Sequence, residues 1–285
     1  MSRLHLLVLD AYAPEGRAAL RGAGATEAGR LYERLLRALA PDAVIDVAYP
    51  ADPDPQLPSG VALADYDGLC WTGSSLTIHE AGDARVERQL AFARAAYDTG
   101  VPSFGSCWAA QLAVAAIGGR CAANPKGREF GVARGITLTE AGREHPLYRD
   151  KPAHFDAFTS HADHVVELCD GATLLASNAW SRVQAVSVAR GRGRFWALQY
   201  HPEYDPHEVA SLCRLRRAEL VAQGSFADDA AADAYIANLE ALHADPTRAD
   251  LAASLGITPA LLDPQQRAIE VRNWLRSLEA ERARR

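Results

Sequence analysis

Phe104-Gly105-Ser106-Cys107-Trp108-Ala109-Ala110-Gln111 places a cysteine at the junction between a short apolar run and a helical one. Gly100-Val101-Pro102-Ser103-Phe104 reads as a buried strand and Ala109 to Ile117 as a helix, so Cys107 stands where a helix N-terminus begins. Unpaired N–H groups and the helix dipole at such a position favour a thiolate and present its sulfur outward. A strand, a tight turn flanked by small residues and a helix are also the parts of a nucleophile elbow. The residues by themselves therefore propose Cys107 as a thiolate nucleophile.

Such a nucleophile needs a base, and the base needs an orienting group. Gln199-Tyr200-His201-Pro202-Glu203 follows the apolar run Arg194-Phe195-Trp196-Ala197-Leu198, which predicts a strand in the same sheet. In extended backbone, residues two apart project to one side, so His201 and Glu203 are expected to point together, with Pro202 stiffening the link. Taken singly, each is an ordinary residue: histidines satisfied in a core and inert buried thiols are common. The elbow and the His-x-Glu pair together make Cys107, His201 and Glu203 the candidate catalytic set.

Around these motifs, strand and helix patterns alternate. Leu4 to Leu9 and Val44 to Ala48 predict strands on either side of a helix from Ala25 to Leu39, where Leu31, Leu35, Leu36 and Leu39 recur at helical spacing. Asp67 to Trp71 predicts a further strand and Asp83 to Tyr97 a helix, followed by the elbow itself. Alternation of this kind implies an α/β, flavodoxin-like open sheet, mostly parallel and flanked by helices. Ligands bind such sheets at the C-terminal strand ends, which is where Gly73, Cys107 and His201 fall. After Gly118-Gly119 the strand-like segments Val132 to Leu138, Thr173 to Ala176 and Val183 to Ala189 follow without long helices, predicting a small antiparallel extension. Asn124 to Gly131 reads as a turn-rich connector.

The two motifs make the chain resemble the class I (triad-type) glutamine amidotransferases, and among them the stand-alone proteins similar to the amidotransferase domain of GMP synthetase. Members carry Gly-x-Cys-x-Gly-x-Gln at the elbow and His-Pro-Glu near the end of the domain; here Gly105-Ser106-Cys107-Trp108-Ala109-Ala110-Gln111 departs only in Ala109 for Gly. Thr72-Gly73-Ser74-Ser75, after the strand Gly68 to Trp71, matches the family's oxyanion loop with Ser75 where Pro is usual. Thr159-Ser160-His161-Ala162-Asp163 is similar to a Ser-His-Gly-Asp segment lining the glutamine pocket, with Ala162 for Gly. The resemblance spans about residues 3 to 215, giving an amidotransferase-like domain over 1–215 and a C-terminal helical extension over 216–285.

That resemblance implies an oxyanion hole built from Gly73, Ser74 and Trp108, and substrate contacts from Gln111, Ser160 and His161. It implies hydrolysis of the γ-carboxamide of glutamine to glutamate and ammonia through a γ-glutamyl-cysteine thioester, with no cofactor. No Ser-Gly-Gly-x-Asp-Ser loop for ATP follows the domain, so either a separate synthetase subunit accepts the ammonia or the chain is a free-standing hydrolase. A γ-glutamyl peptidase acting on larger γ-glutamyl amides and a non-catalytic small-molecule sensor on the same fold stay open. The intact Cys107, His201 and Glu203 weigh against the sensor.

Composition narrows the setting. A net charge of −6 argues against a nucleic-acid partner, which needs clustered Lys and Arg, and the tail Glu281-Arg282-Ala283-Arg284-Arg285 is too short to alter this. The N-terminal apolar run breaks at Asp10 and reads as a core strand rather than a signal segment; no run approaches the roughly 18 apolar residues of a membrane span. Five dispersed cysteines without Cys-x-x-Cys predict neither disulfides nor zinc and place the chain in a reducing cytoplasm. His161-x-x-His164 lacks a third ligand nearby, so no metal is expected. Near the C-terminus, Asp263-Pro264-Gln265-Gln266 predicts a capped helix start, and Ala268, Val271, Trp274, Leu275 and Leu278 form an apolar stripe that packs on the chain's own core or on a homodimer partner.

Overall fold

The run His5–Leu9 forms strand β1, and its side chains are buried on both faces: Leu6 and Val8 join one apolar cluster, Leu7 and Leu9 another. A strand with no polar face belongs inside a parallel sheet covered on both sides. β1 pairs in parallel with β2 (Val44–Ala48) and β3 (Gly68–Trp71). β3 pairs in parallel with β4 (Ser103–Ser106), and β4 with β11 (Gly193–Leu198), a strand that arrives from late in the chain. The structure, a computed structural model, describes residues 3–55 and 57–284; Met1 and Ser2 of the expected N-terminal segment, Gln56, and Arg285 of the basic tail lie outside the described residues.

Beyond β11 the sheet turns antiparallel. β10 (Ala185–Arg190) pairs with β11 and with β9 (Ala172–Ser177), while β6 (Glu129–Leu138) pairs with β9 and with β7 (His154–His161). Among the described residues this makes one nine-stranded sheet, ordered β2-β1-β3-β4-β11-β10-β9-β6-β7, and a separate two-stranded antiparallel sheet of β5 (Arg120–Ala123) and β8 (Asp163–Glu167). The expected α/β sheet with an antiparallel extension is therefore the observed one.

Helices cover both faces. α3 (Ala84–Thr99) and α4 (Trp108–Ala115) pack on the Leu7 face, and α3 carries its own start and stop signals, an Asp83 N-cap and Gly100 in the left-handed region. On the Leu6 face lie α2 (Ala28–Leu39) and α11 (Ile269–Arg282). A third cluster joins α1 (Pro14–Gly22), α6 (Pro206–Ala222), α7 (Asp229–Ala244), α8 (Ala249–Leu255) and α9 (Pro259–Leu262). The short α5 (Glu140–Glu144) and α10 (Pro264–Arg267) complete the set.

Several elements differ from the sequence expectation. α1 was not foreseen, because Leu20 is its single buried residue and no apolar stripe marks it. The connector Asn124 to Gly131 already enters β6 at Glu129. The expected helix beginning at Pro264 is split at Ala268 into α10 and α11, although Asp263 does cap it by accepting from the Gln265 N–H. Position 215 falls inside the continuous helix α6. Among the described helices, none is long and apolar enough to cross a membrane.

The C-terminal stripe packs in cis. Ala268, Val271, Trp274, Leu275 and Leu278 are all at most 3% exposed, and the Trp274 ring stacks on Phe104 of β4 at 5.5 Å. Gly68 of β3 makes room for it, since a Cβ there would stand 2.6 Å from Leu278 and 2.8 Å from Trp274. Trp274→Ala should therefore cost about 3–5 kcal/mol of stability. Thermal melts should show the same drop at every protein concentration; a drop that appears only on dilution would place the stripe in a dimer interface instead.

Candidate active site

Adjacent parallel strand ends bring the motif residues together. Cys107 is the N-cap of α4, held at φ 54° and ψ −99°, and its N–H donates to the Leu198 carbonyl at the end of β11 over 2.7 Å. A non-glycine residue with positive φ in a tight strand-to-helix turn is strained, and surrounding structure must over-determine it. Gly105 and Ala109 show how: a Cβ on Gly105 would lie 2.3 Å from the Trp71 carbonyl and 2.5 Å from the Ala109 methyl. Ala109 is fully buried in the core, so its extra methyl, relative to the family's Gly, faces away from the cleft.

His201 and Glu203 meet through a turn, not through the extended backbone expected from the sequence. The ring nitrogen Nδ1 donates to Glu203 Oε1 at 2.6 Å, and the Ser106 hydroxyl donates to the same oxygen at 2.8 Å. The imidazole stacks on Tyr204 with ring centres 3.8 Å apart and planes 5° from parallel, and the His201 N–H donates to the Phe158 carbonyl at 2.8 Å. These contacts fix the ring so that its other nitrogen, Nε2, is buried, with no hydrogen bond of ordinary length among the described residues. Burial works against charge on this ring, but the Glu203 carboxylate and then the Cys107 side chain outweigh it, and the pKa is pushed up to about 9. Gly73 lies against both residues: a Cβ there would come 3.0 Å from His201 Cε1 and 3.6 Å from Cys107 Cβ.

The loop after β3 is tied down by its own hydroxyls. Thr72 Oγ1 accepts from the Ala11 N–H at 2.9 Å, and the Ser74 hydroxyl donates to the Ala11 carbonyl at 2.9 Å while accepting from the Leu76 N–H at 3.2 Å. Hydrogen bonds from Ser74 thus supply the restraint that a proline at position 75 would give. The Ala11 carbonyl also accepts from Gln89 Nε2, whose amide oxygen accepts the Trp108 indole N–H at 2.9 Å. Trp108 is the first residue of α4, so its backbone N–H belongs to the unpaired donors of a helix N-terminus.

A cleft of about 70 Å³ opens at Cys107, lined among others by Ser74, Gln111, Ser160, Arg128 and Arg216. Gln111 donates its side-chain amide to the Asp163 carbonyl at 3.2 Å, and the Ser160 carbonyl stands 3.8 Å from the Cys107 sulfur. His161 lines the cleft too, but both ring nitrogens are committed: Nδ1 to the Asp163 carbonyl at 2.9 Å, Nε2 to Glu129 Oε2 at 2.8 Å. Its nitrogens therefore hold the cleft wall together. His164 turns elsewhere, toward Asn124 at 3.4 Å, and among the described residues no group of His, Cys, Asp and Glu is arranged to hold a metal.

The arginines are what the sequence reading missed. Arg128 Nε donates to Glu219 Oε1 at 2.8 Å and Arg216 to Glu219 Oε2 at 3.3 Å, so two guanidinium groups that line the Cys107 cleft share one carboxylate. Burial disfavours the Glu219 charge, yet Arg128 and then Arg216 hold its carboxyl below the usual range. Both guanidinium groups line the cleft, which suits an anionic substrate group, and Asp163 lines it as well, 3.4 Å from His79. Arg128 sat in the segment read as a connector and Arg216 just past the expected boundary at 215. The signal that could have found Arg216 is its place on a helix that continues directly from the His-Pro-Glu turn; Arg128, in the loop before β6, carries no such signal.

Comparison with known proteins places the chain in a family. The family described as Glutamine amidotransferase class-I matches residues 50–212. A Pseudomonas protein named gamma-glutamyl-L-1-hydroxyisopropylamide hydrolase is 35% identical over 229 residues, covering 79% of this chain and 76% of its own length. A glutamine-hydrolysing GMP synthase of Thermomicrobium roseum is 35% identical over 106 residues, and the match spans only 18% of that longer enzyme. In fold, the chain resembles the crystal structure of a glutamine amidotransferase from Thermotoga maritima, with a TM-score of 0.65 and 14% identity over 98% of this chain and 99% of that one.

The raised His201 pKa has a consequence for stability. A histidine whose folded pKa exceeds its ordinary 6.5 stabilises the fold fully below pH 6.5, and that contribution is lost as pH rises through about 9. Relative to Glu203→Gln, which removes the carboxylate holding the proton, the wild-type unfolding free energy should fall across this window with a slope of up to about 1.4 kcal/mol per pH unit. Urea titrations of both proteins at several pH values measure the difference, and parallel pH profiles would contradict it.

Proposed function

The chain belongs to the glutamine amidotransferase class-I family, and from that premise we propose that it hydrolyses γ-glutamyl amides, glutamine among them, through a thioester on Cys107. The observation that carries the reading is Cys107 on a strained elbow beside a buried, Glu203-bound imidazole whose hold on its proton the Cys107 side chain strengthens. The Cys107 thiolate attacks the γ-carbonyl carbon, and the carbonyl electrons move onto oxygen, where backbone N–H groups of Trp108 and the Gly73-Ser74 loop receive the charge. His201 gives its Nε2 proton to the departing nitrogen as the C–N bond breaks, leaving the γ-glutamyl thioester. The same nitrogen then takes a proton from water as the water attacks, which releases glutamate and the free thiolate. Arg128 and Arg216 pair with the substrate α-carboxylate, Gln111 orients the α-amino end, and the catalytic unit accordingly extends through α6.

Two identities of the amine remain, and they make different demands. With ammonia as product, a separate synthetase subunit consumes it; with a larger amine, the chain acts alone. The Pseudomonas relative, named for a γ-glutamyl amide of a small amino alcohol and matching most of this chain, favours the second. Steady-state assays of the purified chain on glutamine and on a series of γ-glutamyl alkylamines decide it: kcat/KM should be at least about tenfold higher for a hydroxyl-bearing alkylamide than for glutamine. Fast turnover of glutamine without a partner, and none of the alkylamides, would reverse the order.

Cys107→Ala should abolish hydrolysis with the fold intact, and a γ-glutamyl chloroketone should alkylate wild-type protein once, at Cys107. Burial pushes the thiols of Cys121 and Cys213 up to about 12, and those of Cys70 and Cys169 upward as well, so labelling at any of these would contradict the assignment. Arg216→Met should raise KM about 10- to 100-fold, with a smaller effect on kcat, as expected for loss of a charge-assisted hydrogen bond to the bound substrate.

A further inference from the structure

A second, larger cavity, of about 430 Å³, is lined in part by His201, and Cys107 is not among its lining residues. Its walls are the edge strand β7, the Tyr200-Pro202 turn and the α9–α10 segment, with Phe155, Phe158 and Leu261 supplying apolar surface. Its charged groups differ in how well they are satisfied. Lys151 is paired with Glu270 at 3.0 Å, and Asp156 with Arg134 at 3.1 Å. Among the described residues Arg267 has no carboxylate within ion-pair distance: one guanidinium nitrogen donates to the Leu261 carbonyl, Nε is buried without a hydrogen-bond partner, and Nη2 makes no hydrogen bond. Burial lowers the Arg267 pKa, with Asp205 and Asp263 offsetting this only from a distance. The Arg267 guanidinium carbon stands 6.0 Å from the centre of the Phe158 ring, a contact at the outer limit of a cation–π interaction. A cation without a carboxylate partner beside aromatic and aliphatic walls, in a cavity of ligand size, is an arrangement that an anion would complete.

We propose that this cavity is an effector site for a small monoanion, a single carboxylate on an aromatic or aliphatic body, with the carboxylate on Arg267 and the body against Phe155, Phe158 and Leu261. The lining is joined to the catalytic pair by backbone: the Phe158 carbonyl accepts the His201 N–H at 2.8 Å, and two residues on along β7 the Ser160 carbonyl faces the Cys107 sulfur at 3.8 Å. A ligand seated on Phe158 therefore bears on the atoms that position both reacting groups.

The test uses 4-phenylbutyrate as probe and 4-phenylbutanol as its uncharged match, followed by calorimetry on the full chain and on chain already alkylated at Cys107, which keeps the substrate cleft out of the readout. Phenylbutyrate should bind both forms, and the alcohol at least about tenfold more weakly. Arg267→Met should weaken binding about 10- to 100-fold while Arg267→Lys retains most of it. Ala260→Trp, at an exposed position on the cavity mouth, should block binding without touching the core. At saturation the rate at which iodoacetamide alkylates Cys107 in the unmodified chain should change at least about twofold, a shift of the kind a coupled site produces. No binding at concentrations on the order of 10 mM, equal binding of the alcohol, indifference to both Arg267→Met and Ala260→Trp, or an unchanged alkylation rate would each overturn the proposal.

Discussion

The in-register parallel pairing of β4 with β11 is the constraint on which the site depends. Ser106 faces Leu198 across that pair, and the next residue, Cys107, hands its N–H to the Leu198 carbonyl. Both strands run the same way, so both release their chains at the same edge of the sheet, and the elbow and the His-Pro-Glu turn emerge side by side. An antiparallel β11 would have carried His201 to the opposite edge. β3 lies on the other side of β4 in the same direction, which puts the Thr72-Ser74 loop against the same sulfur. Packing enforces the arrangement from below: Gly105 leaves no space for a side chain, and Trp274 of the C-terminal helix stacks on its neighbour Phe104. Strain at Cys107 is tolerated because this much structure holds it.

Electrostatics divides the site into a reacting half and a recognising half. On one side a single carboxylate oxygen of Glu203 receives both the His201 ring N–H and the Ser106 hydroxyl. On the other, Glu219 spreads its charge over Arg128 and Arg216, which line the cleft together with Asp163. Between them His161, pinned by Glu129 and the Asp163 carbonyl, keeps the wall from Ser160 to Asp163 in place. Asn178 and Gln184 donate to Glu129 in turn, so the wall is anchored in the antiparallel half of the sheet. That half, which carries none of the reacting groups, is thereby made part of the site.

What the sequence revealed follows the range of the physics involved. The elbow was legible because it is a local conformation written in a few adjacent residues, and the parallel strands because period and burial agree over short windows; the spacing of His201 and Glu203 announced their pairing, but not the turn that achieves it. α1 hid because it buries one leucine, and β7 because Phe155-Asp156-Ala157-Phe158-Thr159-Ser160 mixes polar and apolar residues without a clean alternation. The insertion of β11 beside β4 rests on long-range pairing that no local pattern encodes. Arg216 was invisible for a different reason. It belongs to a helix that looks like the start of an appendage, and only packing shows that α6 returns one face to the cleft.

A proton held on His201 well above its ordinary range bears on which bond the site is built to break. Amines and ammonia are poor leaving groups unless protonated as they depart, so an imidazole biased toward its charged form favours forming the thioester from an amide. The same bias opposes the second half of the reaction, where the ring must be neutral to accept a proton from water. Proton transfer to the departing amine resolves the conflict, because it leaves the ring in the form the water step needs. In the proposed reaction Glu203 would then act in both halves in opposite senses, holding the proton for expulsion and stabilising the ring as it regains it. The close packing of Tyr204 on the imidazole and the turn at Pro202 keep Nε2 pointed at one place throughout, which is the condition for a single nitrogen to serve as acid and base in succession.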